Sequence, residues 1–200
     1  MASYWHYRRN HTHCPLHKWS CRQGDHAETP NWVSAVISPW IKRAALLQLN
    51  KSTIPVCIGL YSSGFAANVG VLHALGRKNS QFWLDKLSHA SLIDGALASD
   101  AKTKRYQHNN TEQLANFLAQ TNSENNLIVS EGVFSMDGDQ ADVAALALLA
   151  NKYDAWLYLD EAHSIGVIGE SGEGLSSQGN IDIIMATCGK AIATSGAFVA

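Results

Sequence analysis

Residues 156–163 read Trp156-Leu157-Tyr158-Leu159-Asp160-Glu161-Ala162-His163, and this stretch decides the fold. Its first four residues are apolar or aromatic, which is typical of a strand buried on both faces of a parallel sheet. Its last four residues are small or polar, so the strand ends there. Because ligands of such sheets bind at the carboxyl ends of the strands, Asp160 and His163 lie where a site is expected.

The same alternation of strand-length and helix-length segments extends in both directions from this stretch. Strands that alternate with helices predict an α/β fold with a mostly parallel sheet flanked by helices. Thr111 is the predicted cap of one of these helices. The predicted strands are residues 56–61, 82–85, 104–107, 127–130, 156–160, 181–186 and 197–200, and the predicted helices are residues 65–75, 90–99, 111–120 and 142–153.

The beginning of the chain does not share this pattern. Residues 1–40 hold four of the six tryptophans and three of the four prolines, and no apolar period persists through residues 1–30. We therefore predict that residues 1–55 are an atypical segment, either disordered or produced by a frame error, and that residues 56–200 form the α/β domain.

Composition excludes several classes of function. The net charge of -2 gives no overall electrostatic attraction to nucleic acid. The sequence contains no run of about 18 apolar residues, so it predicts no membrane-spanning helix. Four scattered cysteines favour a reducing cytoplasm. Zinc binding by a module at residues 1–26 is an alternative, but its spacing matches no zinc finger, so we predict no metal site. The residues concerned are His11, His13, Cys14, His17 and Cys21.

Each polar residue at a strand end allows two interpretations. Ser63 and Gly64 open a helix, where they could bind phosphate or simply provide an N-cap. Asp160 could cap a helix, bind a metal or pair with a cationic ring nitrogen. Lys190, in a glycine-containing turn, could form an imine or be an ordinary surface lysine. His89 could stack on a flat cofactor or cap the following helix.

Four motifs make these positions more specific when they are read together. From about Ser62 to Ala200, their order and spacing resemble the α-oxoamine synthases, which are fold-type-I pyridoxal 5'-phosphate (PLP) enzymes. Residues 63–68, 136–139 and 194–197 are most similar to the members of that family that act in biotin biosynthesis. The motifs are Asp-Lys-Leu-Ser-His-Ala-Ser at 85–91, Glu-Gly-Val-Phe-Ser-Met-Asp-Gly-Asp at 131–139, Asp-Glu-Ala-His-Ser-Ile-Gly-Val-Ile-Gly at 160–169 and Thr-Cys-Gly-Lys at 187–190.

The resemblance implies a role for each matching residue. Lys190 would hold PLP as a Schiff base and act as the base, while Asp160 would pair with the pyridine nitrogen and keep it protonated. His89 would stack on the ring and help to position the substrate. His163 would form a hydrogen bond with the phenolic oxygen. Ser63, Gly64 and Phe65 would supply contacts near the cofactor. Ser135 and Thr187 would add hydrogen bonds, that of Thr187 to the phosphate.

The resemblance also implies a reaction. L-Alanine would condense with a pimeloyl thioester of CoA or of an acyl-carrier protein, with loss of carbon dioxide, in a cytoplasmic homodimer. Another α-oxoamine synthase reaction, such as that of glycine C-acetyltransferase, and a non-catalytic truncated remnant are the alternatives. Family members have a glycine-rich segment where residues 1–50 hold only Gly24, and they continue beyond Ala200. We therefore expect residues 56–200 to be a partial PLP-binding large domain that is inactive alone.

Overall fold

The computed structural model of the chain describes residues 58–200. The predicted atypical segment 1–55, the alternative zinc module and residues 56–57 of the first predicted strand lie outside the described residues. Leu60–Val199 form one compact unit.

Seven strands and four α-helices follow one another along the described residues. The strands are β1 (Gly59–Tyr61), β2 (Ser80–Asp85), β3 (Lys102–Tyr106), β4 (Asn125–Glu131), β5 (Trp156–Asp160), β6 (Ile183–Thr187) and β7 (Ala197–Val199). The helices are α1 (Gly64–Leu75), α2 (Ala90–Leu97), α3 (Thr111–Gln120) and α4 (Val143–Lys152), and a short 3-10 helix spans Ser176–Gln178.

The strands form one sheet in the order β1-β7-β6-β5-β4-β2-β3. Strands β2 to β6 pair in parallel with their neighbours, whereas β7 is antiparallel to β6. The predicted α/β class with a mostly parallel sheet is therefore confirmed. Because β2, β3, β4, β5 and β6 run in one direction, their carboxyl ends lie at the same edge of the sheet.

Helices cover both faces of the sheet, which is why the strands read as continuous apolar runs. Phe82 and Leu127 pack in a cluster with α1 and α2, whereas Trp83 and Ile128 pack in a second cluster with α3 and α4. Successive residues of a strand point to opposite faces, so adjacent apolar residues enter different clusters.

Polar side chains cap the helices and correct one prediction. Ser63 begins α1 by accepting a hydrogen bond from the N–H of Ala66 at 3.2 Å. The predicted cap of α3 is wrong: Asn110 accepts the N–H of Gln113 at 2.8 Å, and Thr111 is the first helical residue. An amide oxygen one residue earlier takes the capping role because it reaches the third helical N–H.

Most of the other predicted boundaries also differ from the structure, mainly by one or two residues, as two examples illustrate. The strand predicted at 181–186 is Ile183–Thr187, because Asp182 instead accepts the N–H of Leu157 at 2.9 Å through its side chain. The helix predicted at 90–99 ends at Leu97. Among residues 58–200, no helix combines the length and apolar character needed to cross a membrane.

A glycine brings α1 and α2 into close contact. A Cβ atom at Gly95 would lie 2.9 Å from the backbone oxygen of Asn68 and 2.9 Å from the Cα of Val69. A real Cβ atom does not approach backbone this closely, so only glycine permits this helix spacing. The contact brings the middle of α1 against α2, whose N-terminus follows β2 at the carboxyl edge of the sheet.

Candidate active site

The carboxyl edge of the sheet collects most of the residues predicted for a site. Asp160 ends β5 and is paired in register with Glu131 at the end of β4. Thr187 ends β6, and a Cβ atom at Gly64 would lie 3.4 Å from its Cβ. The N-terminus of α1 therefore lies beside the end of β6, as expected for a parallel sheet that binds ligands at this edge.

Asp160 is a buried acceptor. Its side chain is held at both oxygens, because Oδ2 accepts from Nδ2 of Asn68 at 2.7 Å and Oδ1 accepts from the N–H of Ala162 at 2.9 Å. Only 4% of the residue is exposed. Burial raises the pKa of Asp160, although the two hydrogen bonds and the charge of Lys190 oppose this rise. A fixed carboxylate of this kind can pair with a cationic ring nitrogen.

Lys190 and His163 meet at the same edge. Nζ of Lys190 lies 2.7 Å from Nε2 of His163, so an ammonium group donates to the lone pair of the ring. Burial lowers the pKa of His163, and the positive charge of Lys190 lowers it further. Both effects favour the neutral ring, and a neutral ring that accepts from Lys190 at Nε2 carries its proton on Nδ1.

A tight turn between β6 and β7 carries Lys190. The N–H of Cys188 donates to Gly196 O at 2.8 Å, and the N–H of Ala193 donates to Lys190 O at 2.9 Å. Gly196 has a φ of 99°, a conformation that favours glycine. These bonds fix the backbone of Lys190 between two paired strands and leave the side chain to reach towards His163.

His89 caps α2 and is fixed by its backbone and by its ring. Its N–H donates to Oε1 of Glu131 at 2.6 Å. Its Nδ1 accepts the N–H of Ser91 at 3.2 Å and lies 2.7 Å from Oγ of Ser91. The capping role is therefore observed, and stacking of the ring on a cofactor stays a prediction.

The smaller predicted contacts lie around the same edge. Oγ of Ser63 is used in capping, while Gly64 and Phe65 supply the first N–H groups of α1, which the helix itself does not pair. Ser135 follows β4 and is exposed. Oγ1 of Thr187 donates to Gly196 O at 3.3 Å, so this hydroxyl helps to shape the turn. Cofactor contacts by these residues stay predictions.

Glu131 is a buried acid that the sequence did not single out as a site residue. It accepts the N–H of His89, and the N–H of Ser135 also bonds to it, so one carboxylate joins two predicted cofactor loops. Burial and the neighbouring charge of Asp160 raise the pKa of Glu131 to about 7. Its position at the end of β4, beside the end of β5, was the feature that could have identified it as a site residue.

Glu131→Gln is expected to change how stability depends on pH. Because the folded pKa is raised, the folded protein holds the proton of Glu131 more tightly than the unfolded chain does, so stability falls as pH rises from 4.5 to about 7. Lys190, Asp160 and the N–H groups of His89 and Ser135 face this group. The variant lacks this titration, so relative to wild type it gains up to about 3 kcal/mol across that window.

Urea unfolding at several pH values measures this difference. Exposed Glu112 provides the matched control, because Glu112→Gln removes a carboxylate without a buried environment. A difference between wild type and Glu131→Gln that stays constant from pH 4.5 to 7 would contradict the prediction.

A histidine also joins the loops beside the site. His108 lies 3.0 Å from Asp85 through Nδ1 and 2.8 Å from Asp139 through Nε2. Burial lowers the pKa of His108, but hydrogen bonds and charges from the two carboxylates outweigh this effect and raise it. Asp137 completes a group whose ligand atoms lie within 4.8 Å of one another. Since both nitrogens of His108 already pair with carboxylates, the group ties together the loops after β3 and β4.

Comparisons with known proteins agree with the motifs. The sequence model of the family described as aminotransferase class I and II matches residues 40–200. An 8-amino-7-oxononanoate synthase from Alkalilimnicola ehrlichii is 47% identical over 146 residues, which cover 70% of this chain and 37% of that protein. The chain spans 35% to 39% of the length of the curated relatives it matches in this way.

Solved structures give the same result. A serine palmitoyltransferase from S. paucimobilis, with PLP and myriocin bound, is 34% identical with a TM-score of 0.70, covering 80% of this chain and 40% of that chain. An 8-amino-7-oxononanoate synthase from Francisella tularensis is 28% identical with a TM-score of 0.62, covering 84% of this chain and 55% of that chain. The fold-type-I architecture and PLP as the cofactor of this fold are thus confirmed. The chain belongs to the aminotransferase class I and II family, in its α-oxoamine synthase branch.

Proposed function

We propose that this chain is the cofactor-binding part of a PLP-dependent acyltransferase. The reaction condenses L-alanine with a pimeloyl thioester, of CoA or of a carrier protein, and gives 8-amino-7-oxononanoate, carbon dioxide and the free thiol. One observation carries the proposal: the amine of Lys190 and the buried carboxylate of Asp160 lie at neighbouring strand ends of one sheet edge. The names of the curated relatives support the substrates.

The described residues fit PLP. Asp160 offers a buried carboxylate whose two hydrogen-bond donors leave lone pairs for a ring nitrogen. The first N–H groups of α1, at Gly64 and Phe65, suit a phosphate, because a helix N-terminus carries partial positive charge. Lys190 provides the amine that would hold the cofactor covalently. When bound, PLP withdraws the electron pair left on the substrate Cα, which is chemistry that no side chain supplies.

The remaining chemistry falls to the side chains. Lys190, which would hold the cofactor, would also be the base whose Nζ takes the α-proton of L-alanine. Nε2 of His163 lies 2.7 Å from Nζ of Lys190 and, in the neutral ring that the lowered pKa of His163 favours, presents a lone pair that can hold this amine in place. Asp160 would pair with the ring nitrogen, and the N–H of Ala162 and Nδ2 of Asn68 stabilise its carboxylate form against the effect of burial.

There are two alternatives: a reaction with another amino acid as the acyl acceptor, and a chain that has no catalytic activity. A second reaction of the same class, with serine as the amino acid, is favoured by the serine palmitoyltransferase neighbours at 34% to 35% identity. A non-catalytic remnant would keep the site and show no turnover. We propose that the complete protein is a cytoplasmic homodimer, the arrangement implied by the α-oxoamine synthase resemblance.

Exchange of the α-proton tests the proposed chemistry without requiring the thioester. The complete protein that contains this chain is incubated with PLP and L-alanine in D2O, and NMR follows loss of the α-proton signal. We expect exchange with L-alanine to exceed exchange with glycine and L-serine. Faster exchange with L-serine would favour the second reaction instead. Bound PLP with no exchange for any amino acid would favour the remnant.

A further inference from the structure

A line of buried polar side chains connects Asp160 to His89. Nδ2 of Asn68 donates to Oδ2 of Asp160 at 2.7 Å and to Oγ of Ser91 at 2.8 Å. Oγ of Ser91 lies 2.7 Å from Nδ1 of His89, and the hydroxyl of Tyr158 donates to Oδ1 of Asn68 at 2.7 Å. Asn68 and Ser91 are each 1% exposed and Tyr158 is fully buried, so water does not compete for these bonds.

The orientation of the Asn68 amide follows from its neighbours. The carboxylate oxygen of Asp160 accepts hydrogen bonds and so requires the NH2 end of Asn68 to face it. Burial and the charge of Asp160 raise the pKa of Tyr158 well above its usual value, so its hydroxyl keeps its proton and donates to Oδ1 of Asn68. Both ends of the amide are therefore satisfied in one orientation only.

This orientation determines which nitrogen of His89 carries the proton. Because Asn68 donates to Oγ of Ser91, the hydroxyl hydrogen of Ser91 is free to point towards Nδ1 of His89. The backbone N–H of Ser91 points at the same nitrogen from 3.2 Å. Two donors facing Nδ1 require a lone pair there, so the neutral ring carries its proton on Nε2. Among residues 58–200, Nε2 has no hydrogen-bond partner.

We propose that Asn68 and Ser91 are positioning residues that hold neutral His89 in the Nε2–H form and link its orientation to that of Asp160. The exposed Nε2–H then offers a donor at the face of the site, suited to a carboxylate or carbonyl oxygen of the substrate. The proton arrangement is a property of the chain alone. Only the use of that donor by a substrate rests on the proposed function.

Nitrogen NMR of the full 200-residue chain without cofactor tests the proton arrangement. At about pH 8.5, where an unperturbed imidazole is neutral, we expect Nδ1 of His89 to show the shift of an unprotonated nitrogen and Nε2 that of a protonated one. A mixture of the two forms in the wild-type chain, or a proton on Nδ1, would overturn the proposal.

Asn68→Asp gives a directional test. The new carboxyl group has the shape of the amide and faces Asp160, with which it shares any proton it holds, so it has no hydrogen for Ser91. The hydroxyl of Ser91 therefore turns towards it and presents its lone pair to His89. The N–H of Ser91 still faces Nδ1 in this variant, so we expect the Nδ1–H form of His89 to appear beside the Nε2–H form. Unchanged His89 shifts would sink the idea. Asn126→Asp is the matched control, since Asn126 is a buried asparagine bonded to Trp83 at 3.0 Å, away from this line, and should leave His89 unchanged.

Tyr158→Phe gives a test that does not depend on the folding of Asn68→Asp. It removes only the donor to Oδ1 of Asn68, and Tyr158 contacts His89 through no bond of its own. We expect broadening or a shift of the His89 nitrogen signals, and signals identical to wild type would count against the line of contacts.

PLP titration separates this inference from the proposed function. We expect the Kd of PLP, measured by visible absorbance, to rise about tenfold in Asn68→Asp and to stay unchanged in Asn126→Asp, because only the first variant places a second carboxyl group against Asp160 and reduces the charge that Asp160 offers to the ring nitrogen. Equal PLP affinity in wild type and Asn68→Asp would overturn the link to Asp160. If wild type binds no PLP, the proposed function fails, while the nitrogen shifts of His89 still decide the proton arrangement.

Discussion

Lys190→Ala is expected to abolish covalent capture of PLP. Lys190 is the lysine whose Nζ lies beside His163 at the carboxyl edge of the sheet, and its backbone is fixed by the turn between β6 and β7. Alanine leaves the turn unchanged but removes the amine that would form the bond at this edge. After reduction with borohydride, mass spectrometry of the digested wild-type chain should find the pyridoxyl group on the Lys190 peptide, and the variant should carry none.

Other lysines provide the controls for this experiment. Lys104 lies 3.5 Å from the ring centroid of Phe117, and Lys152 lies on α4, so neither is at the carboxyl edge. Lys104→Ala and Lys152→Ala should keep full labelling of Lys190. Because Lys190 is exposed, its removal should change the free energy of unfolding by less than about 0.5 kcal/mol. Labelling of another lysine in Lys190→Ala, at the wild-type level, would show that Lys190 is not the anchor.

Phe82→Ala is expected to give the largest loss of stability. Phe82 is 0% exposed and lies in the cluster between the sheet and helices α1 and α2. Deleting its ring removes apolar surface from a closed environment and leaves a cavity, which costs about 3 to 5 kcal/mol. The midpoint of urea unfolding should fall accordingly, with the slope unchanged.

A half-exposed phenylalanine provides the matched comparison. Phe65 is 50% exposed at the N-terminus of α1, so Phe65→Ala makes the same chemical change with little buried surface to lose. Its cost should be under about 1 kcal/mol. Similar midpoints of urea unfolding for the two variants would mean that burial of Phe82 between the sheet, α1 and α2 does not contribute the predicted stability.

The regular part of the fold could be predicted because both faces of the sheet are buried. The strand 156–160 was predicted with the bounds that the structure has, since its apolar run fills both clusters. The sequence did not predict the first residues of a strand where they are polar, as at Asn125 and Asn126 of β4. Backbone pairing extends a strand regardless of side-chain polarity, and Asn126 is accommodated there by the indole N–H of Trp83.

The candidate site was predictable only in part. Lys190, Asp160 and His163 follow strands, so the topology alone brings them to one edge. Asn68 gave no such signal, because it lies inside a helix and its partner Asp160 is 92 positions away. A contact of that kind depends on how α1 packs against the sheet, which local sequence does not state. Glu131 was predicted to follow a strand, but nothing in the sequence indicated that it belongs to the site. The hydrogen bond from the N–H of His89 shows this in the structure.

The parallel pairing of the strands also determines at which stage of folding the site can form. The contacts that define it join residues 27, 42 and 92 positions apart, and they involve α1, the N-terminus of α2, the ends of β4 and β5, and the turn after β6. Contacts between distant segments close late, because the entropy of the intervening loops must be lost first. No isolated hairpin or helix pair of this unit contains the site. Capture of PLP is thus expected to report that the sheet is complete.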